Sequence, residues 1–342
     1  MIPKPWVRRL QPVPHGGKRQ LAARGLDPDA LIDFSATLLP IPTPQPVLRA
    51  LAACDVRAYP DPHCTGLLAA LSAHTGLPQA QLLVGNGSIE LLYAAVRACV
   101  GPGDRVAIVG PTFGEYRAAV LQAGAEPVQV QEGADLPARV RASSPQLIVV
   151  CNPNNPTGRL TSEDILAQLQ GIAPLLIDEA YMGFLQPPPA PAWRPGRLVL
   201  RSLTKDHALA GLRVGYAVGD PGFLAAVRAL LLPWGVNALA QAAATVAVSH
   251  PQLYAPGIAA VWRERERLMG AIADLGWAVQ GGHAPYFLVR TPGAQACFER
   301  LLAQGVVVRS CVSFGLPEHI RISPQTPAQG DRLLACLGPA DP

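Results

Sequence analysis

The stretch RLVLRSLTKDHALAGLRVGYAVG, residues 197–219, holds two short apolar runs separated by a polar segment that contains Lys205. Arginine takes almost every other basic position, since only Lys4, Lys18 and Lys205 of the 28 Lys and Arg residues are lysine. A desolvated lysine amine can lose its proton and become a nucleophile, whereas a guanidinium stays charged. The stretch therefore predicts two strands joined at a candidate reactive lysine.

Five similar runs precede this stretch, and amphipathic segments such as residues 88–100 and 162–172 lie between many of them. The runs are QLLVGNG (81–87), DRVAIVGP (104–111), EPVQVQ (126–131), QLIVVCNP (146–153) and PLLIDEA (174–180). Strands that alternate with helices are typical of an α/β fold with a mostly parallel sheet covered by helices on both faces. In such sheets, ligands bind where strands end and loops begin.

The pattern changes after about residue 220. Two long helical patterns and three strand-like runs follow, namely ALAQAAATVAVS (238–249), IAAVWRERERLMGAIADLG (258–276), YFLVR (286–290), GVVVRS (305–310) and HIRIS (319–323). They favour a second, smaller α+β domain, in keeping with the length of the chain. We expect a large domain over residues 40–235 and a small domain formed by residues 1–39 and 236–342.

Composition narrows the class of protein. With 49% hydrophobic and 15% charged residues, the chain is globular rather than disordered. The net charge of +4 is small and the arginines are scattered, so nothing indicates a nucleic-acid partner. The apolar runs are shorter than a membrane span of roughly 20 residues, and residues 1–14 lack a continuous apolar segment. We therefore expect a cytoplasmic protein without a signal peptide or membrane anchor.

The cysteines do not indicate a structural role. There are seven, an odd number, and none shows C-x-x-C spacing, which argues against both a disulfide framework and a zinc site. His63 beside Cys64 is the one close pair of possible metal ligands, and an ordinary loop or packing role is favoured for it. The sequence predicts no metal site.

The segment GNGSIELL (85–92) follows a predicted strand and opens a predicted helix. The N–H groups of Gly87, Ser88 and Ile89 would lie at the positive end of the helix dipole, which suits a phosphate. Taken alone, the segment also fits a tight strand-to-helix turn capped by Asn86 or Ser88. It lacks the G-x-G-x-x-G spacing of a dinucleotide site.

Two more polar segments follow predicted strands at the same sheet edge. NPNNPTG (152–158) is a rigid run of turn formers that can aim an Asn side chain into a cleft. Asp178 ends the apolar strand PLLI, where an unpaired buried carboxylate is expensive. A protonated heterocyclic nitrogen would supply the cationic partner that this carboxylate needs.

Lys205 joins this edge because it follows the strand RLVLRSL. Alone, it reads as a surface lysine, but Ser202 and Thr204 add hydroxyls beside it and Arg213 can bind a phosphate in a forked geometry. Together these parts fit a ligand with a phosphate, an aromatic ring with a basic nitrogen, and a carbonyl that reacts with lysine. That ligand is pyridoxal 5'-phosphate, an electron sink for chemistry at the substrate Cα.

The chain also resembles a known family over nearly its whole length. The motifs YPDP, GNGSIEL, PTFGEY, NPNNPTG, DEAY, SLTK, GLRVGY and IRIS follow one another in the order found in the fold-type I, pyridoxal-phosphate-dependent aminotransferase superfamily. The resemblance is to the branch that contains histidinol-phosphate aminotransferases and L-threonine-O-3-phosphate decarboxylases of cobalamin synthesis. It implies a large domain with a seven-stranded, mostly parallel sheet and a smaller α+β domain.

The resemblance also assigns cofactor contacts to residues of this chain. It implies that Lys205 bonds the cofactor covalently and that Asp178 meets the ring nitrogen. The other implied contacts are Tyr181 and Asn155 to the ring oxygen, Phe113 stacked on the ring, and Gly87, Ser88, Ser202, Thr204 and Arg213 at the phosphate. Tyr59, in YPDP, would reach the phosphate from the other subunit, which implies a homodimer with shared active sites.

The two ends of the chain carry the substrate prediction. HGGKRQLAARGLDPDALIDFSA (15–36) and VVVRSCVSFGLPEHIRIS (306–323) resemble the opening and closing segments of the decarboxylases. By resemblance, His15 contacts the substrate phosphate, Arg309 and Arg321 bind substrate anions, and Asn155 and Thr37 also meet the substrate. Thr37 is a departure, because the family usually has Asn there and a Thr hydroxyl has shorter reach. A mobile His15 without a role, and arginines that are only surface charges, are the alternatives.

The cofactor motifs alone do not separate decarboxylation from transamination, because the orientation of the substrate decides which bond breaks. The flanks favour decarboxylation of L-threonine O-3-phosphate to (R)-1-amino-2-propanol O-2-phosphate, a step of cobalamin synthesis. Histidinol-phosphate or related aminotransferase activity is the alternative enzyme. A non-enzymatic ligand-sensing domain of a regulator is disfavoured, because the chain has no DNA-binding extension and keeps the lysine, Asp178 and the predicted phosphate site.

Overall fold

The fold is given by a computed structural model that describes residues 4–340. The helices are α1 (Gln45–Ala52), α2 (Thr65–Thr75), α3 (Gly87–Cys99), α4 (Glu115–Ala123), α5 (Leu136–Ala142), α6 (Glu163–Gln170), α7 (Pro221–Arg228), α8 (Ala238–Ser249), α9 (Ala255–Asp274), α10 (Ala294–Leu302) and α11 (Pro327–Leu337). The strands are β1 (Ile32–Asp33), β2 (Leu82–Gly85), β3 (Arg105–Gly110), β4 (Glu126–Gln131), β5 (Leu147–Cys151), β6 (Leu175–Asp178), β7 (Arg197–Ser202), β8 (Gly215–Val218), β9 (Val279–Gln280), β10 (Phe287–Arg290), β11 (Val306–Val307), β12 (Arg309–Ser310) and β13 (His319–Ile322).

The large sheet contains seven strands in the order β2-β8-β7-β6-β5-β3-β4. Strand β8 runs antiparallel to both neighbours, and the pairs from β7 to β4 are parallel. Every residue of β5 and β6 is buried, because helices cover both faces of the sheet. The seven predicted runs are the seven strands, which confirms the predicted α/β class.

Local sequence explains where several helices begin. Ser162, Asp220 and Asn237 precede α6, α7 and α8, and their side chains accept hydrogen bonds from backbone N–H groups of the first turn. Helix α3 differs, since Asn86 precedes it and makes no capping hydrogen bond with its side chain. The first N–H groups of α3 are therefore left without a cap from Asn86.

The C-terminal part forms a four-stranded antiparallel sheet in the order β12-β13-β10-β9. The predicted strand-like run GVVVRS is not one strand. Its first half, β11, pairs in parallel with β1 near the N-terminus, and its second half, β12, pairs with β13. This switch between two small sheets places Arg309 directly opposite Arg321.

Helix α8 follows directly after the predicted domain boundary between residues 235 and 236, so its packing indicates whether that boundary is well placed. Its alanines at 240, 243, 244 and 247 are fully buried in the same apolar cluster as one face of the large sheet, and the helix packs on α1 and α2. The two domains stay a prediction, and this packing favours a boundary beyond α8. Residues 1–3, 341 and 342 of the predicted small domain lie outside the described chain.

Strands β5, β6 and β7 end side by side, because they are parallel neighbours. Their last residues are Cys151, Asp178 and Ser202. The register places Cys151 opposite Asp178, and the loop after β7 brings Lys205 to the same edge. Within residues 4–340, no helix is long and apolar enough to cross a membrane.

Candidate active site

A cavity of about 500 Å³ lies at the carboxyl edge of the large sheet. Its volume is in the range of small-molecule sites, roughly 300 to 1,000 Å³. The predicted site residues that line it are His15, Thr37, Gly87, Ser88, Phe113, Asn155, Asp178, Tyr181, Ser202, Thr204, Lys205, Arg213, Arg309 and Arg321. Segments far apart in the sequence therefore meet in one space, as predicted, although their roles are not tested by this proximity.

Lys205 lines this cavity and is partly buried. Burial, and after it the positive charge of Arg213, lower the pKa of its amine from 10.5 to about 8. Among residues 4–340, no carboxylate forms an ion pair with this amine. A neutral, nucleophilic amine is therefore accessible near neutral pH.

Asp178 is buried, and its carboxylate has only neutral hydrogen-bond donors. The Tyr116 hydroxyl donates to Oδ2 at 2.8 Å, and the Ala180 N–H donates to Oδ1 at 3.0 Å. Burial raises the pKa of Asp178 above its ordinary value, and these two hydrogen bonds oppose that shift. Within residues 4–340, this carboxylate forms no ion pair, although the charge of Lys205 also opposes the rise in its pKa.

The start of α3 and the loop after β7 together form a polar corner of the cavity. Arg213 lies so close to Gly87 that a Cβ added there would be 3.0 Å from its Nη2 atom, and Gly87 has a φ of +77°. The hydroxyls of Ser202 and Thr204 are 2.6 Å apart at the same corner. Uncapped N–H groups, two hydroxyls and a guanidinium are suitable ligands for a phosphate.

Arg309 and Arg321 line the side of the cavity formed by the small sheet. Arg321 donates to the side chain of Asn155 and, at 2.7 Å, to the carbonyl of Ser35. Arg309 donates to the carbonyl of Pro14 at 2.7 Å, and both burial and the charge of Arg321 lower the pKa of Arg309. Two neighbouring guanidinium groups thus have neutral acceptors in place of carboxylates.

Thr37 and His15 occupy the remaining substrate-side positions. The Thr37 hydroxyl is buried and lies 2.6 Å from the Ser323 hydroxyl, so this hydrogen bond already engages it. His15 lies on the N-terminal segment, where its Nε2 atom is 2.8 Å from Oε1 of Glu115. Its ring centroid is 5.9 Å from that of Phe113, the predicted cofactor-stacking residue.

Tyr59 is the one predicted cofactor contact that does not line this cavity. Its side chain is 81% exposed and stacks on Trp234 with ring centroids 4.7 Å apart. The resemblance had assigned it to the site of another subunit, and a position outside its own cavity is compatible with that role. Its reach into a second site stays a prediction.

Sequence reasoning gave no site role to several lining residues, among them Glu115, Tyr116, Cys151 and Phe314. Glu115 and Tyr116 belong to the quoted motif PTFGEY, but no role was predicted for them. Cys151 ends β5 directly opposite Asp178, and burial raises the pKa of its thiol to about 12. The parallel pairing of β5 with β6 could have predicted this position, because Cys151 and Asp178 end neighbouring strands. No group of three or more His, Cys, Asp or Glu side chains within residues 4–340 is arranged to hold a metal ion.

Comparison with known proteins identifies the family of this chain. The family "Aminotransferase class I and II" matches residues 32–337. The chain belongs to this family. It is 36% identical to the threonine-phosphate decarboxylase of Salmonella typhimurium, covering 94% of this chain and 95% of the relative. It is 34% identical to histidinol-phosphate aminotransferase 2 of Ralstonia nicotianae, covering 97% and 95%.

A solved structure also connects the fold with the cofactor. Histidinol-phosphate aminotransferase from Sinorhizobium meliloti, in complex with pyridoxal 5'-phosphate, has a TM-score of 0.87 and is 26% identical, with 97% of this chain and 95% of that chain covered. The predicted superfamily and its PLP-transferase fold type I are confirmed. The cofactor of this class I and II aminotransferase family member is pyridoxal 5'-phosphate.

The residues of this chain fit that cofactor. The buried carboxylate of Asp178 forms no ion pair in the described part of the chain, so the ring nitrogen would supply its cationic partner, and Lys205 offers a primary amine with a lowered pKa. The polar corner at α3 provides ligands for the phosphate. We expect Tyr181 and Asn155 to contact the ring oxygen and Phe113 to stack on the ring.

The lowered pKa of Lys205 predicts that the cofactor-free chain is destabilised by its own lysine. The unfolded chain keeps this proton up to about pH 10.5 but the folded chain only up to about pH 8, so stability rises with pH between these values. Below pH 8, we expect cofactor-free Lys205→Met to be more stable than the parent by up to about 3 kcal/mol, and the difference to shrink toward pH 10.5. Urea unfolding at pH 7 and pH 10 measures this.

The exposed Lys4 provides the matched control, because Lys4→Met removes a lysine that is not buried. It should change the free energy of unfolding little at either pH. A Lys205→Met variant whose stability relative to the parent does not depend on pH would contradict the predicted effect of burial.

Proposed function

We propose that this enzyme decarboxylates L-threonine O-3-phosphate to (R)-1-amino-2-propanol O-2-phosphate. The observation that carries the proposal is the pair Arg309 and Arg321, which face the cavity without a carboxylate partner among residues 4–340. The substrate has a carboxylate and a phosphate on adjacent carbons, so it brings two anions to two neighbouring cations. The similarity of the whole chain to a threonine-phosphate decarboxylase supports the same choice.

Bound pyridoxal phosphate supplies an electron sink for the pair of electrons left at the substrate Cα. The residues of this chain then decide which bond breaks, because they orient the substrate. Arg309 and Arg321 hold the two anionic groups, and the enclosure around them limits access of water. After carbon dioxide leaves, the amine of Lys205 is the group we expect to deliver the proton that replaces it at Cα.

Transamination of histidinol phosphate is the second candidate. It is supported by the similarity to the aminotransferases of Ralstonia nicotianae and Symbiobacterium thermophilum, each 34% identical. In that reaction, Lys205 would remove a proton from Cα, whereas in decarboxylation it would deliver a proton in place of the lost carboxylate. The same two arginines would bind the phosphate of histidinol phosphate and the carboxylates of a dicarboxylic amino acceptor.

We also infer that the enzyme is a homodimer in which Tyr59 contributes to the active site of the partner. The support is local, since Tyr59, Trp234 and Leu232 are large apolar side chains that are 81%, 49% and 75% exposed. Exposed apolar patches of this kind are typical of protein interfaces.

A paired substrate assay tests the reaction. The holoenzyme is expected to release carbon dioxide from L-threonine O-3-phosphate, and to do so much faster than it transfers an amino group from histidinol phosphate to 2-oxoglutarate. Both rates are measured on one preparation, with Lys205→Ala as the background for each. If amino transfer proceeds and no carbon dioxide is released, the decarboxylase proposal is wrong and the second candidate replaces it.

A further inference from the structure

Glu115 lies where α4 begins and lines the cavity, and its side chain is mostly buried. Its Oε1 atom is 2.8 Å from Nε2 of His15, and its Oε2 atom accepts a hydrogen bond from the Tyr93 hydroxyl. Both oxygens are therefore engaged. The carboxylate is fixed between a residue of α3 and a residue of the N-terminal segment.

The segment around His15 depends on a small number of contacts. The Pro14 carbonyl accepts from Arg309 at 2.7 Å, and the Gly17 N–H donates to the Ser35 hydroxyl at 2.8 Å. These bonds hold the backbone of the segment but do not fix the imidazole. Among residues 4–340, Glu115 is the hydrogen-bonding partner of the His15 ring, which is 51% exposed.

The chemistry of imidazole gives this contact a consequence for anion binding. The charged ring donates through both nitrogens, so Nε2 serves Glu115 and Nδ1 is left as a donor for a substrate anion. A neutral ring that donates through Nε2 presents a lone pair at Nδ1, and a lone pair repels an anion. The negative charge of Glu115 faces Nε2, so a charged ring donates a charge-assisted hydrogen bond to it and keeps Nδ1 as a donor for the phosphate.

We propose that Glu115 is a positioning residue that orients His15 through a charge-assisted hydrogen bond, so that the ring donates to the substrate phosphate through Nδ1. The inference rests on the proposed function in that the substrate carries a phosphate and His15 contacts it. Glu115 acts through His15, and the Tyr93 hydroxyl keeps the carboxylate in place. Neither the reaction at Cα nor the contacts of the cofactor require Glu115.

The test measures binding to holoenzyme that has been reduced with borohydride, which prevents turnover. Glu115→Gln keeps the size of the side chain and removes its charge. We expect the Kd of L-threonine O-3-phosphate to rise roughly tenfold or more, since a hydrogen bond to a charged group is weakened. The Kd of L-threonine should change less than about twofold, because it has no phosphate for this hydrogen bond. Calorimetry gives both constants.

A double-mutant cycle separates this role from a merely structural one. His15→Asn should weaken phosphate binding by itself, and adding Glu115→Gln to it should cause no further loss. Tyr93→Phe is the milder variant, expected to raise the same Kd roughly threefold by freeing one carboxylate oxygen. The matched control is Glu126→Gln. Glu126 lies on β4 outside the cavity, and its carboxylate pairs with Arg105 at 3.5 Å.

Three results would overturn the inference. They are an unchanged Kd for the phosphorylated ligand in Glu115→Gln, equal weakening for both ligands, or losses that add independently in the double variant. The Kd values of histidinol phosphate and histidinol, measured in the same variants, keep the test separate from the proposed reaction. If the enzyme releases no carbon dioxide, the proposed function fails, while a selective loss of phosphorylated ligands still supports the role of Glu115.

Discussion

Replacing Lys205 by alanine is expected to abolish the visible absorbance that arises from its covalent bond to the cofactor and to reduce turnover by roughly 10⁴-fold or more. The reason is that this one amine both bonds the cofactor and handles the proton at Cα. No second lysine lines the cavity within the described chain. Absorbance spectra of the purified variant and initial rates with the substrate found in the paired assay give the two readouts.

Lys205→Arg sharpens the same experiment. It keeps a positive charge at this position but lacks a primary amine, so we expect it to lose the absorbance and the activity as fully as the alanine variant. Lys4→Ala is the matched control and should retain both. Turnover by the alanine variant without an added amine would refute the assignment of Lys205.

The second large effect is expected at Asp178. Asp178→Asn removes the negative charge that we expect to pair with the cofactor ring nitrogen, and breaking a buried pair costs about 3 to 5 kcal/mol. The corresponding loss in kcat/KM is roughly 150- to 5,000-fold. Because a protonated ring nitrogen makes the electron sink stronger, the loss should be mainly in kcat, measured with saturating cofactor.

Asp331→Asn serves as the control for this substitution. Asp331 is exposed and pairs with Arg267 on α9, away from the cavity, so its amide variant should keep nearly full activity. Tyr116→Phe removes one of the two hydrogen bonds to Asp178 and should have a smaller effect than Asp178→Asn. An Asp178→Asn enzyme with kcat/KM within about threefold of the parent would show that the charge is not needed.

The large sheet could be predicted from the sequence because its strands are local patterns. Runs such as LIVVC and LLID are apolar throughout, since both faces of these strands are buried, and turn-forming residues bound them. Their parallel arrangement brings Asp178 and Lys205 to one edge, so part of the cavity also followed from the sequence. Neither step required knowledge of long-range packing.

Other features depend on contacts that no local pattern encodes. The run GVVVRS looks like a single strand, but its halves pair with β1 and β13, which are far apart in the sequence. The contact between His15 and Glu115 spans 100 positions of the chain and forms only when the N-terminal segment docks over the cavity. The hydrogen bond between Thr37 and Ser323 also joins residues that are far apart in the sequence. The sequence therefore showed that Thr37 replaces the Asn usual in the family, but not that Ser323 engages its hydroxyl.

The pairing of β12 with β13 has a consequence for how this protein can be improved. It sets Arg309 directly opposite Arg321, and like charges at opposite positions of neighbouring strands are destabilising until an anion lies between them. Lys205 is also unfavourable, because burial disfavours the charged form of its amine. Selection for thermal stability alone would therefore favour loss of the residues that bind substrate and cofactor, so a stabilised variant should be chosen under selection for activity as well.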